Sequence, residues 1–443
     1  MRLIFLQGNH VAMAKRYRKI AQDKGLVVPF TEKVKQNPNI DKLIGSALMN
    51  FRDRWNISRI SLYDQLYDLG FDHILDFGSV RENLGTVLEN YSYVLINVYD
   101  SYQNTGNREF CDKGWIDWNA NWPYAYPNDI IIDSSGKMET LDNVANLSNS
   151  PQRIDVYAIC DKTYLKYAKS DYEKQFSNNE YHFESRYIDG STATLFFECY
   201  HHDHPMVRSE VKQNRNELLR YFRENEHGKL VIGSEEGRDF AVPYCDYFLG
   251  LMGNAMFATT EEQYQRSVNE IYNVPLFELV YHDCVISYYS TGDSNPKILT
   301  TWDKKDLFNR LYGTPPTYTI TQNAFETYKD KLKNSYQIAE VVSKMTAYQE
   351  MTDHIYLTDD LKVQQTVFSN GVRVTVNFGS STYTTENGQL IEPMSSLIEE
   401  SNSNGGLQGW AIALIVIFAI VFALVCTILC VKFNKKIEET KDI

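Results

Sequence analysis

The stretch HILDFGSVRENLGTVLENYSYVLINVYD, residues 73–100, reads as strand, helix, strand. HILDFG and YSYVLINVYD are short apolar runs, and RENLGTVLENY between them is helical in character. Strands of this non-alternating kind are buried on both faces, so the unit belongs to a parallel sheet with helices outside it. The same order extends in both directions. RLIFLQG (2–8) and LIGSALMNF (43–51) read as strands, followed by the helices VAMAKRYRKIAQDKG, closed by Gly25, and SLYDQLYDLG, closed by Gly70. Downstream, SRYIDG, KLVIGSEEG and VPLFELVYHDCVISYY (274–289) are strand candidates, and the helix VRSEVKQNRNELLRYFRENEHG lies among them.

The predicted strands end in polar residues: Gln7-Gly8-Asn9, Asp76-Phe77-Gly78, Asp100, Asp189-Gly190, Glu235-Glu236-Gly237 and His282-Asp283. In a (β/α)8 TIM barrel all such ends meet at one face, which is where active sites lie. A doubly wound sheet would gather its ligand residues at a single crevice. Acids spread over so many strand ends favour the barrel, for which seven strands are counted.

The Trp-rich excursion GWIDWNANWPYAYPND (114–129) follows one strand and reads as a substrate-cleft wall, with Trp118 as a sugar-stacking candidate. Past about residue 345 the pattern changes to period two. KVQQTVFSNGVRVTVNFG is a hairpin turning at Asn370-Gly371, so residues 346–394 form a small β domain after the barrel of residues 1–345. Residues 395–409 are rich in Ser, Asn and Gly and read as a stalk. Trp410 to Val431 carries no charge, and a helix of that length rises roughly 33 Å, enough for a bilayer. Lys432, Lys435 and Lys436 follow, so the positive-inside rule places the tail 432–443 in the cytosol and the large domain on the extracellular or lumenal side.

Three sequons, at Asn56, Asn90 and Asn146, fit that side of the membrane. The opening MRLIFLQGNHVAMAKRYRK lacks the apolar core of a signal peptide, so either the anchor itself is the insertion signal or the natural start lies upstream, and the second is the expectation. Cys111, Cys160, Cys199, Cys245 and Cys284 show no metal spacing and read as small buried apolar residues, some of which can be bridged. His201, His202 and His204 in HHDHP look like a metal cluster, but no matching Cys set or H-x-x-x-H helix accompanies them, so neither metal nor cofactor is expected. A net charge of −13 and a pI near 5.3 exclude a nucleic-acid surface, which needs clustered Lys and Arg. The aromatic share of 13%, with 31 Tyr, suits the stacking of sugar rings.

Glycoside hydrolysis needs two carboxyl groups flanking one bond. Asp189 closes the apolar strand of RYIDGSTATLFFECY and Glu235 closes the next, in KLVIGSEEGRD, which makes them the catalytic candidates. Asp76, Asp100, Glu198, Asp239, His282 and Asp283 are the other strand-end or loop polar groups, read as substrate-binding. Glu198, Asp239 and Asp283 have the alternative of holding Arg208 and Arg238.

The blocks AKRYRKIAQDKG, YIDGSTAT, FFECYHHDHPMVR, VIGSEEGRDFAVPYCDY, VPLFELVYHDCV and WDKKDLFNRLYGTPP resemble a group of microbial glycoside hydrolases that are distant relatives of the endo-α-N-acetylgalactosaminidases. The resemblance covers most of residues 1–380. It implies a TIM barrel followed by a β-sandwich-like domain, a retaining mechanism, Asp189 as nucleophile and Glu235 as acid/base, with Asp76-Phe77-Gly78 as a short further match. The relatives carry an N-terminal region with the first barrel strand, which implies a barrel lacking its N-terminal part here. They also tend to have a smaller residue and Gly-His where this chain has Glu236-Gly237-Arg238. The expectation is a cell-surface retaining glycosidase acting on α-linked glycans; the alternative is an inactive carbohydrate-binding lectin or adhesin on a degenerate barrel.

Overall fold

The computed structural model describes residues 7–52, 55–78, 84–107, 109, 123–145, 153–178, 183–224, 229–250, 274–289 and 302–400. In chain order the strands begin with β1 (Ala47–Phe51), β2 (Ile74–Asp76) and β3 (Val94–Ser101). An excursion then forms a three-stranded antiparallel sheet from β4 (Asn104–Thr105), β5 (Thr140–Ala145) and β6 (Arg153–Ala158). The main sheet resumes with β7 (Ser185–Asp189), β8 (Val231–Glu235), β9 (Tyr247–Leu249), β10 (Ile286–Tyr288) and β11 (Thr317–Ile320).

The main sheet runs β10-β9-β8-β7-β3-β2-β1-β11, and every pairing in it is parallel. With the excursion set aside, this order is circularly consecutive, because the last strand pairs with the first. No reversal of order occurs, which rules out a doubly wound sheet. The result is a nearly closed eight-stranded barrel of the TIM type.

Eight strands correct the count of seven, and with it the expectation of a barrel short of its N-terminal part. The two overlooked strands are β9, three residues long, and β11, whose sequence TYTI is half polar. The expected strand at RLIFLQG falls on residues outside those described, apart from Gln7 and Gly8. VPLFELVYHDCVISYY is not one strand: Leu276–Tyr281 is a helix entered through Pro275, and only Ile286–Tyr288 is sheet. An apolar run buried from all sides carries no periodicity that separates helix from strand.

The barrel interior is filled by Leu48, Leu75, Leu95, Tyr187, Val231, Tyr247, Ile286 and Tyr288. The alternate residues of the same strands, such as Met49, Ile96, Ile188, Ile232 and Phe248, pack outward on the helices. Only the 3-10 turn Asp239–Ala241 separates β8 from β9, and the helix His10–Asp23 packs beside it on Leu276–Tyr281. The helix Lys329–Thr346 closes the barrel domain. After it, β12 (Met351–Tyr356), β13 (Val363–Phe368), β14 (Arg373–Asn377) and β17 (Ser395–Glu399) make an antiparallel sheet, with the ribbon β15 (Tyr383–Thr384) and β16 (Leu390–Ile391) inserted.

β17 corrects the expected stalk boundary. Residues 395–399 form five rungs with β14, and Ser396 Oγ accepts from Arg310 at 2.6 Å, so this segment is sheet. The rest of the expected stalk beyond residue 400, the apolar segment 410–431 and the tail 432–443 lie outside the described residues. Among the described residues no helix is long and apolar enough to cross a membrane.

Candidate active site

Period two along the strands decides which polar residues face the barrel mouth. Tyr187 lies in the interior, so Asp189, two residues on, closes β7 on the same face; Val231 and Gly233 do the same for Glu235 on β8. Ile188 pairs with Ser234, which makes Asp189 and Glu235 the next rung of the ladder. Neighbouring strands stand about 4.8 Å apart, so the two side chains leave the sheet side by side. Beneath them, a Cβ on Gly233 would lie 2.0 Å from the Tyr247 ring, so only glycine leaves room for that ring in the barrel core.

The two acids have different surroundings. Asp189 accepts a hydrogen bond from the Tyr99 hydroxyl at 2.6 Å. Burial raises its pKa, and the bonds from Tyr99 and from the Gly190 N–H work against that rise. Among the described residues no such donor offsets Glu235. Burial, followed by the charges of Asp189 and Glu236, pushes its pKa up to about 7. Both carboxyls are thus raised, but only Asp189 has donors that favour its ionised form, whereas Glu235 keeps its proton to near neutrality. The charges of both acids are felt by Tyr99 and Tyr187, whose hydroxyls are driven up in pKa chiefly by burial.

Local backbone holds this pair. Gly190 has φ 65°, and Glu236, directly after the acid, has φ 45°, a left-handed conformation uncommon for a side-chain-bearing residue. The Glu236 N–H donates to Leu249 O at 2.8 Å. The Thr192 hydroxyl, on the loop after β7, donates to the Glu235 carbonyl and so ties the two strand ends together. Phe77 and Tyr99 pack on Tyr187 with ring centroids 4.8 and 5.8 Å away, which gives the floor an aromatic lining.

The remaining sequence candidates do not gather here. Asp76 and Asp100 fall on the outward parity of β2 and β3. Asp76 is fully buried, accepts from Tyr63 at 2.6 Å and from the Gly78 N–H at 2.8 Å, and faces Arg59. Asp100 is paired with buried Arg186, whose guanidinium lies over the Phe222 ring at 4.8 Å. His282 and Asp283 precede β10 instead of closing it, which puts them at the opposite end of the barrel. Asp283 takes both guanidinium nitrogens of Arg18 at 2.8 Å, and His282 faces the carbonyl oxygens of Gln349 and Gly313. Asp239 is held by Tyr17 at 2.6 Å on the 3-10 turn. Glu198 is an exposed loop residue beside Tyr200. Trp118 lies outside the described residues. Sequence reasoning missed Tyr99 and Thr192; the parity of β3, with Leu95 inward, would have selected Tyr99 over its neighbour Asp100.

Comparisons with known proteins agree with this architecture. Residues 258–367 match the family model of glycosyl hydrolases related to the GH101 family, GH129, and residues 135–291, which include both acids, match a domain family of unknown function, DUF6259. No curated protein matches the chain. Among solved structures, the alpha-N-acetylgalactosaminidase NagBb from Bifidobacterium bifidum in its GalNAc complex is similar with a TM-score of 0.61 at 18% identity, over 84% of this chain and 63% of that one. Its ligand-free form gives the same TM-score at 20% identity. A GH36 alpha-galactosidase, AgaA from Geobacillus stearothermophilus, in complex with stachyose, is similar with a TM-score of 0.50 at 10% identity, over 87% of this chain and 53% of that one. This chain thus spans under two thirds of the length of these proteins.

Proposed function

We propose that the chain is a retaining glycosidase of α-linked glycans, working at the paired acids Asp189 and Glu235. Asp189 attacks the anomeric carbon while Glu235 gives its proton to the departing glycosidic oxygen, so the C–O bond to the leaving group breaks as the glycosyl ester forms. Glu235, now a carboxylate, takes a proton from water, whose oxygen displaces Asp189 and releases the sugar. The observation that carries this reading is the shared rung: side-by-side carboxyl groups suit the roughly 5–5.5 Å separation of retaining enzymes better than the wider gap that inversion needs for a water. The unequal surroundings of the two acids support the division of roles. The similarity to NagBb, solved with GalNAc, supports an N-acetylamino sugar at the cleaved position.

The apolar, charge-free segment 410–431 followed by lysines supports a single-pass anchoring with the barrel outside the cytosol. Exposed side chains of Asn56 and Asn90 suit glycosylation on that side.

The test is hydrolysis of a panel of aryl α-glycosides, α-N-acetylgalactosaminide included, by the purified chain. Asp189→Ala is expected to abolish turnover. Glu235→Ala is expected to lose about 100- to 10,000-fold, less on substrates whose leaving group needs no proton. NMR of the first product should show the α anomer. Wild-type rates in either variant, or a β product, would refute the proposal. Sugar binding by the wild-type chain without turnover of any glycoside would instead identify the lectin alternative.

A further inference from the structure

Outside the catalytic mouth, the structure brings two donors of one loop beside a third from a distant part of the chain. Cys160 follows β6, and Cys199 and His204 lie on the excursion after β7. Their Sγ, Sγ and Nδ1 or Nε2 atoms all come within 4.8 Å of one another, and all three residues are buried. Reciprocal backbone bonds, Cys199 N to Met206 O at 2.8 Å and Met206 N to Cys199 O at 2.9 Å, close the loop that carries Cys199 and His204. His204 Nε2 lies 2.9 Å from the backbone carbonyl of Asn128, so the ring proton belongs on that nitrogen. This leaves Nδ1 bare, with its lone pair toward Cys199 Sγ at 3.4 Å. An imidazole held by a carbonyl on one side and aimed at sulfur on the other is the usual support of a metal-bound histidine.

From this geometry we propose that Cys160, Cys199 and His204 bind one zinc ion, with water as the fourth donor. A sulfur at about 2.3 Å and a nitrogen at about 2.0–2.1 Å from a tetrahedral zinc lie roughly 3.5 Å apart, and the Cys199–His204 separation matches. A disulfide would instead require the two sulfurs at about 2.05 Å, whereas both cysteines are free. Cys245 and Cys284 are the other buried cysteines among the described residues. The ion would fasten the end of the β6 excursion to the loop that leaves Asp189, a structural duty separate from the acid pair.

The experiment is metal analysis of the full chain after loading with Zn2+ and dialysis against a weak chelator. One zinc per chain is expected in wild type and in Cys245→Ser, and none in Cys160→Ser, Cys199→Ser or His204→Ala. Because those variants can also fail to fold, Co2+ is exchanged into the wild-type chain, where thiolate-to-cobalt charge-transfer absorption is expected. No retained zinc, no such absorption, a Cys160–Cys199 disulfide in the peptide masses, or zinc kept by all three variants would each overturn the site.

Discussion

Replacing Tyr99 by Phe removes one hydroxyl and leaves the ring that packs on Tyr187. The lost bond is the 2.6 Å donation to Asp189, of a charge-assisted class worth about 1.5–3 kcal/mol. Tyr99 is half exposed, so water replaces part of it, and about 1.5 kcal/mol is the reasonable loss, close to one pKa unit at 1.36 kcal/mol each. The sign follows from the opposing influences on Asp189. Burial raises its pKa and the Tyr99 bond restrains that rise, so deleting the bond moves the pKa further up. A nucleophile must be ionised and Glu235 must be protonated, so the productive window is bounded below by Asp189 and above by Glu235 near 7. Tyr99→Phe should therefore shift the acidic limb of the kcat/KM profile up by about one unit and leave the basic limb in place. On the acidic side of the optimum, activity should fall about tenfold. Steady-state kinetics from pH 4 to 9 on an aryl glycoside read both effects. An unmoved acidic limb would refute the claim that this hydroxyl governs the ionisation of Asp189.

A carboxyl raised to about 7 in the folded chain holds its proton more tightly than in the unfolded one, so Glu235 costs stability as pH climbs from its ordinary value of 4.5 to about 7. Glu235→Gln should consequently gain in thermal midpoint relative to wild type at pH 8 and not at pH 4, as calorimetry at both pH values would show. Gly233→Ala puts a methyl into the Tyr247 ring and should lose about 1–3 kcal/mol in urea unfolding. Asp283→Asn breaks the buried pair with Arg18 and should destabilise by about 3–5 kcal/mol without altering KM or the pH profile. A raised KM at unchanged stability would return Asp283 to the substrate site.

The linear order of residues determined the layer architecture and the two acids. Apolar runs such as VLINV and LVIG alternating with helices demand a parallel sheet whatever else the chain does, because such strands must be covered on both faces. The acids at the ends of RYID and VIGSE were legible because each closes a run whose inward residues are two apart. Period two also held the information that excludes Asp76 and Asp100, since each sits one position off an inward side chain. The sequence could not reveal that VPLFELVY is helix and only the following ISY is strand, because an evenly apolar run has no period. For that reason the end of the barrel at which His282 and Asp283 lie was decided by the tertiary structure alone. The same holds for the approach of Cys160 to Cys199 and His204, and for Tyr99 reaching Asp189 across 90 positions. Such encounters depend on how strands pair and how long loops close, and these are settled by packing in three dimensions, to which spacing along the chain gives no guide.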